Sequence, residues 1–211
     1  MEKFKIVILI SGRGSNLNAI VKKFSKKNSY VEVVGVISNK PSASGLKIKG
    51  KFQKKIINEK NFSKKGFEIK LQEYLKKLNP DLICLAGFMK ILSPFIINKW
   101  KNKIVNVHPS LLPSFKGLNT HNRVIKQGIK ISGCSIHYVD NSLDGGPVIA
   151  QAAIVVESNI NEKELSKKIL KLEHDIYPKV IDLIAKKNIS IINNKVVVKT
   201  KKHINTFIKS V

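Results

Sequence analysis

The first hundred residues alternate short runs of β-branched and other apolar residues with lysine-rich runs whose apolar positions recur at helical spacing. The strongest strand signal is Ile6-Val7-Ile8-Leu9-Ile10, with no polar residue in it. A strand apolar at odd and even positions alike has no face to give to water, so it belongs in a sheet covered on both sides. Strands are expected at Lys5–Ile10, Val31–Ser38, Lys54–Asn58, Leu82–Ala86 and Ile104–Val107. Helices are expected between them, at Asn16–Lys27, Ser44–Lys49, Lys65–Asn79 and Pro94–Lys99. This alternation with right-handed crossovers makes a doubly wound, mostly parallel α/β sheet.

After about residue 130 the pattern changes. Cys134–Val139 and Val148–Val156 read as two strands joined through the turn-prone Asp140–Pro147, an antiparallel C-terminal addition. A long C-terminal helix follows from Asn161 to Lys186, with Asn161 as cap and Glu164 as its capping-box partner. Its apolar stripe is Leu165, Ile169, Leu172, Ile176, Val180 and Ile184, and Pro178 should kink it. The tail from Ile189 carries one further strand, Lys195–Lys199.

A chain of 211 residues with 43% hydrophobic content suits one domain, and neither an internal repeat nor a dividing linker interrupts it. The longest early apolar run is five residues, far below the ~20 that span a bilayer, and no signal-peptide cleavage site follows it. A membrane or secreted protein is therefore not expected. Cys84 and Cys134, both inside apolar segments, read as reduced, buried thiols of a cytoplasmic protein.

The net charge of +25 ordinarily suggests a polyanionic partner. Yet nearly all the bases are lysine; the arginines, which would make bidentate contacts to phosphate or base edges, are only Arg13 and Arg123. Residues 47–77 hold eleven lysines against three acids, without interleaved stacking aromatics or a helix-turn-helix pattern. These lysines read as solvated helix faces, with no specific nucleic-acid partner. A nucleic-acid-binding module stays as the rival from another class.

The first strand runs into Ser11-Gly12-Arg13-Gly14-Ser15-Asn16 and then a helix. Glycines let backbone amides approach an anion, and the helix N-terminus adds unpaired N–H groups and a favourable dipole. The plain alternative is a tight turn with Ser15 or Asn16 as N-cap. A dinucleotide loop would have a third glycine where Leu17 stands and an acid near Ser38-Asn39-Lys40. What remains is a site for a single phosphate group.

A polar cluster follows: Asn106-Val107-His108-Pro109-Ser110-Leu111-Leu112-Pro113, Gly117-Leu118-Asn119-Thr120-His121, His137, and Leu143-Asp144-Gly145-Gly146-Pro147. Asn106 and His108 lie at the carboxyl end of the fifth strand, where α/β sheets bind ligands. No two of these histidines sit three or four apart, the spacing by which one helix aims two imidazoles at an ion, so no metal is expected. Ser110 lacks a nucleophile-elbow context. Asn, His and Asp around Pro- and Gly-rich turns point instead to acid–base work.

Leu85-Ala86-Gly87-Phe88-Met89-Lys90-Ile91-Leu92-Ser93, the Asn106–Pro113 run and Leu143-Asp144-Gly145-Gly146-Pro147 resemble the phosphoribosylglycinamide formyltransferases. The resemblance extends to Glu173-His174-Asp175-Ile176-Tyr177-Pro178. It implies a single formyltransferase domain over 1–211, with a phosphate-binding half at about 1–100, a folate-binding and catalytic half at about 81–187, and a short tail. It also implies cytoplasmic purine synthesis from small-molecule substrates, by a monomer or a homodimer.

On this resemblance the reaction moves the formyl group of 10-formyltetrahydrofolate onto the glycinamide amine, with no covalent intermediate and no metal. Asn106, His108 and Asp144 would be catalytic. Asn106 and a protonated His108 would stabilise the oxyanion, while Asp144 favours that charge and relays protons. Gly14, Ser15, Asn16, Leu170 and Glu173 would hold phosphoribosylglycinamide. Lys64, Met89, Lys90, Ile91, Leu92 and the turn Asp140, Asn141, Ser142 and Leu143 would hold the folate, with His121 and His137 in support. Lys64 and Lys90 stand where the family usually has arginine, and Asn119 where histidine is common. Lysine keeps the charge but loses the bidentate fork, so looser binding of the folate's glutamate tail follows. Formyltetrahydrofolate deformylase and methionyl-tRNA formyltransferase are the related alternatives.

Overall fold

A computed structural model describes residues 2–26, 28–199 and 207–208. The chain gathers into two compact units, Met1–Asn106 and Val107–Val211.

In the first unit, β1 (Phe4–Ile10), β2 (Val31–Ser38), β3 (Gln53–Ile56), β4 (Leu82–Leu85) and the first three residues of β5 (Ile104–His108) are all parallel, in the order β5-β4-β1-β2-β3. Ile6 through Ile10 are wholly buried, as a central strand covered on both faces requires. The chain builds outward from β1 through β2 to β3, then crosses back to β4 and β5. The crevice of this sheet therefore lies at the carboxyl ends of β1 and β4, where the winding reverses. There Ser11 N–H donates to the Gly87 carbonyl at 3.1 Å.

The connecting helices are α1 (Ser15–Phe24), α2 (Lys64–Leu78) and α3 (Pro94–Lys99). α2 buries Phe67, Leu71 and Leu75 along one stripe, starts at the Ser63 cap and stops at Asn79, whose φ of 44° breaks the helix just before Pro80. Two sequence expectations need correction here. The helix expected at Ser44–Lys49 is a single 3-10 turn, Ser44–Lys47; it is pinned by Gly45 N–H donating to the Gly12 carbonyl at 3.0 Å. The N-cap of α1 is neither Ser15 nor Asn16 but Gly14, in the left-handed region at φ 74°. The backbone itself makes the turn, and a Cβ on Gly14 would come within 2.7 Å of the Gly45 Cα.

In the second unit, β6 (Ile131–Tyr138) and β7 (Val148–Val155) form the expected antiparallel pair, with an irregularity between Ile136 and His137. The short β10 (Phe207–Ile208) lies parallel to β7. α5 (Glu162–Ala185) packs across β6 and β7 through Leu165, Ile169, Leu172, Ile176 and Val180, and begins with the expected Asn161–Glu164 capping box. The helix continues through Pro178, which is buried with Tyr177 and Ile181 on either side of it.

Among the described residues four elements escaped the sequence reading: a 3-10 turn at Glu59–Asn61, α4 (Thr120–Lys126), β8 (Ile189–Ile192) and β10. β8 pairs with β9 (Lys195–Val198) across Asn193-Asn194, whose φ values of 48° and 59° make the tight hairpin turn. Among the described residues no helix is long and apolar enough to cross a membrane. Cys84 and Cys134 are buried and in no disulfide, as expected.

Candidate active site

In the first unit the glycine loop leaves β1 through Ser11, which is buried and satisfied on three sides. Its N–H bonds to Gly87, its Oγ donates to Asn39 Oδ1 at 2.6 Å, and the same Oγ accepts from Met89 N–H at 2.8 Å. Beyond it, a Cβ on Gly12 would meet nothing within 4 Å, so this part of the loop is open to an approaching group. Ser15 and Asn16 occupy the first turn of α1, which carries no acid, and the N–H groups of that turn have no intrahelical acceptor. Such an end favours an anion. Leu17, where a dinucleotide loop has glycine, is wholly buried and packs α1 onto the sheet.

The loop between β4 and α3 holds Met89, Lys90, Ile91 and Leu92. Met89 is 63% exposed and Ile91 67%, while Phe88 and Leu92 are buried. The Lys90 side chain is already engaged: its Nζ lies 3.4 Å from Glu59 Oε2 and 4.9 Å from the centre of the Phe67 ring. Glu59 is held below the ordinary carboxylate range, first by the nearby Asn39 side-chain amide and then by Lys90 and Lys40. Any contact of Lys90 with a ligand thus falls to its backbone. Lys64 is exposed in the first turn of α2. Asn106 is half-buried near the end of β5, two residues before His108, so their side chains leave that strand on the same side.

The second unit brings His108, His137 and Asp144 together. His108 is 5% exposed. Its Nε2 lies 2.9 Å from the Phe115 carbonyl, which only accepts, so Nε2 carries a proton. Its Nδ1 lies 3.4 Å from Asp144 Oδ2, long for a charge-assisted hydrogen bond. Asp144 Oδ2 also accepts from Gly117 N–H at 2.8 Å, and Oδ1 lies 3.9 Å from His137 Nε2. His137 donates Nδ1–H to the Tyr138 carbonyl at 2.9 Å. Burial pushes this imidazole below its ordinary value, against the opposing pull of Tyr138 and Asp144, which favours its neutral form.

Two backbone outliers meet at this imidazole. Phe115 at φ 55° presents the carbonyl that holds Nε2, and Asp144 at φ 47° presents the carboxylate that faces Nδ1. Left-handed backbone is costly for a residue as bulky as phenylalanine, and such strain gathers where a functional group must be aimed. The Phe115 ring is stacked under the Arg123 guanidinium at 5.2 Å. Serine hydroxyls brace the rest of the loop: Ser110 Oγ donates to the Ser114 carbonyl at 2.6 Å, and Ser135 Oγ donates to the Ser110 carbonyl and accepts from Leu112 N–H.

The turn after β6 is shaped by Asp140, whose Oδ1 accepts from both Ser142 N–H and Ser142 Oγ. Asn141, Ser142 and Leu143 are exposed at its tip. Gly146 closes it, because a Cβ there would fall 2.0 Å from the Tyr138 carbonyl oxygen. His121, in α4, feels both His108 and Glu162, and burial pushes it below its ordinary value. Leu170 and the buried Glu173 stand three apart on one face of α5. Among the described residues no cluster of three or more His, Cys, Asp or Glu has a metal-holding arrangement. Sequence reasoning missed Ser11, Phe115 and Gly117 as anchors; the latter two act through backbone atoms, which leave no side-chain signal.

Residues 4–181 match the formyl transferase family model. The phosphoribosylglycinamide formyltransferase of Escherichia coli strain K12 is 38% identical over 183 residues, which cover 85% of this chain and 86% of that protein. The trifunctional purine biosynthetic protein adenosine-3 of Gallus gallus is 38% identical over 187 residues, 87% of this chain. This chain spans only 19% of the length of that larger relative. A crystal structure of phosphoribosylglycinamide formyltransferase from Anaplasma phagocytophilum superposes with a TM-score of 0.93 at 38% identity, covering 100% of each chain.

Proposed function

The chain belongs to the formyl transferase family, and from that premise we propose that it transfers the formyl group of 10-formyltetrahydrofolate to the amine of 5-phosphoribosylglycinamide in purine biosynthesis. The observation that carries this reading is the imidazole–carboxylate pair of His108 and Asp144, aimed by two strained backbone positions. Attack of the amine on the formyl carbon puts negative charge on the formyl oxygen, and donors fixed in advance lower that barrier. His108 is tied at Nε2 by the Phe115 carbonyl, so Nδ1, more loosely matched to Asp144, is the nitrogen that turns to the oxygen. Asn106 adds a neutral donor.

The attacking nitrogen must lose a proton and the departing folate nitrogen must gain one. Asp144 is the acceptor on this reading, and the 3.9 Å gap to His137 Nε2 suits a water between two acceptors. With Nδ1–H given to the Tyr138 carbonyl, Nε2 of the neutral His137 is an acceptor. Gly14, Ser15 and Asn16 hold the phosphate, and Leu170 and Glu173 lie along the ribose and glycinamide. Met89 and Ile91 offer exposed apolar surface to the pterin ring, with Lys90 and Leu92 contributing backbone groups. Asp140, Asn141, Ser142 and Leu143 also contribute to holding the folate, Lys64 meets the glutamate tail, and His121 supports His108. A family match that runs through both units supports one formyltransferase domain, and buried thiols in no disulfide suit a cytoplasmic location.

The deciding experiment supplies purified protein with 10-formyltetrahydrofolate and phosphoribosylglycinamide, with water and charged tRNA as competing acceptors. Formylated glycinamide ribonucleotide is the expected product. Formate released without it would make the protein a deformylase, and formylated tRNA would overturn the proposal in favour of the tRNA enzyme.

A further inference from the structure

The loop from Gly87 to Ser93 has no regular secondary structure, yet it is tied down at four points from below. Its first carbonyl accepts from Ser11 N–H, Met89 N–H donates to Ser11 Oγ, and Lys90 is paired with Glu59. The fourth tie is Glu68. This carboxylate, 3% exposed in the middle of α2, gives both oxygens to one residue: Oε1 accepts from Ser93 N–H at 2.7 Å and Oε2 accepts from Ser93 Oγ. Ser93 is the N-cap of α3, with Pro94 locking the first helical position. A carboxylate buried among Phe67, Leu71 and Leu75 is an expensive choice where an apolar residue would pack. Its bidentate grip fixes the place at which the loop re-enters the fold.

Holding Met89 and Ile91 outward also runs against ordinary packing, since a loose loop would fold two large apolar side chains inward. We infer that Glu68, together with Ser11, is a positioning residue that holds the Gly87–Ser93 loop as a rigid apolar platform for the folate. This rests on the formyl-transfer reading for the identity of the ligand. Ser11 clamps the start of the loop and Glu68 its end, and neither touches the folate.

The test compares wild type with Glu68→Gln, Glu68→Ala and Ser11→Ala. In Glu68→Ala the KM for 10-formyltetrahydrofolate should rise about 10-fold, with kcat and the KM for phosphoribosylglycinamide changing less than about 2-fold, as for loss of a charged hydrogen-bonded anchor. Glu68→Gln keeps the acceptor for Ser93 N–H and should recover most of that loss. Binding is read separately by quenching of Trp100, the only tryptophan, on titration with 5-formyltetrahydrofolate, which has no group to transfer from N10. Trp100 closes α3, with Nε1 donating to Gln72 Oε1 on α2 at 2.8 Å, so it reports on the same corner. Folded variants with unchanged folate affinity, or with both substrates' KM values raised alike, would overturn the inference. If Glu68→Ala does not fold, Ser11→Ala decides it by the same criteria. Wild type that binds 5-formyltetrahydrofolate but fails to transfer the formyl group of 10-formyltetrahydrofolate would refute the proposed reaction and leave the affinity comparison valid. Wild type that binds no folate refutes the platform.

Discussion

At the residue scale, the second unit sets one imidazole neutral and holds another against a carboxylate. Asp144→Asn keeps an oxygen for Gly117 N–H but cannot hold a transferred proton, so formyl transfer should fall at least ~100-fold with folding intact. Near-normal turnover in that variant would remove Asp144 from the mechanism. The histidines also set a pH dependence. Burial pushes His121, His137 and His174 below the ordinary value of 6.5, so the folded state holds them neutral where the unfolded chain has begun to take up protons. Their stabilising contribution is therefore complete above about pH 6.5 and is lost as the pH falls through their lower folded values. Urea midpoints should drop between about pH 7.5 and about pH 5.5. His174, with Nε2 buried and lacking a hydrogen-bond partner among the described residues, is the one to change: His174→Gln should flatten the slope.

At the scale of elements, caps and turns do what side-chain patterning cannot. The Asn161–Glu164 capping box satisfies the first turn of α5 reciprocally, at 3.0 and 3.2 Å. Asn161→Ala should lower stability by about 1 kcal/mol while leaving turnover unchanged, measured by chemical denaturation beside the activity assay. Gly14 is the opposite case. Alanine there must hold a left-handed backbone, costing about 1–2 kcal/mol, and its Cβ presses on the Gly45 backbone. The proposed phosphate loop should shift, so Gly14→Ala should raise the KM for phosphoribosylglycinamide more than that for the folate. Equal effects on both would disconnect this loop from the phosphate. Elements with a β-branched run or a marked start were legible in the sequence, as β2 and the Pro94-led α3 show by matching residue for residue. α4 was not, because its seven residues start from Asn119 in a left-handed conformation without a side-chain cap, leaving no start signal. β8 was missed for a different reason: its four residues become a strand only by pairing with β9.

Across the whole molecule, the +25 charge is the property most open to misreading. All eleven lysines between residues 47 and 77 are exposed, as solvated faces require. Filter binding to arbitrary single- and double-stranded nucleic acids should show weak, indiscriminate affinity at about 50 mM salt that falls at least ~1,000-fold by about 200 mM. Retention of a preferred sequence or structure at the higher salt would restore a nucleic-acid role that the proposed formyl transfer does not explain.

The identity of each chemical group, the strand–helix alternation and the glycine loop's lack of a dinucleotide fingerprint were all written in residue order, because periodicity and residue type are local properties. Asn106, His108 and Asp144 could be singled out from their motifs alone. What the linear order could not supply was orientation. His108 finds Asp144 thirty-six positions away only because β6 and its following turn return the chain to the end of β5. Which His108 nitrogen is tied down is chosen by a Phe115 carbonyl that a left-handed backbone aims. Glu68 likewise looks, in sequence, like one more polar residue on a lysine-rich helix; burial against Ser93 is what turns it into an anchor.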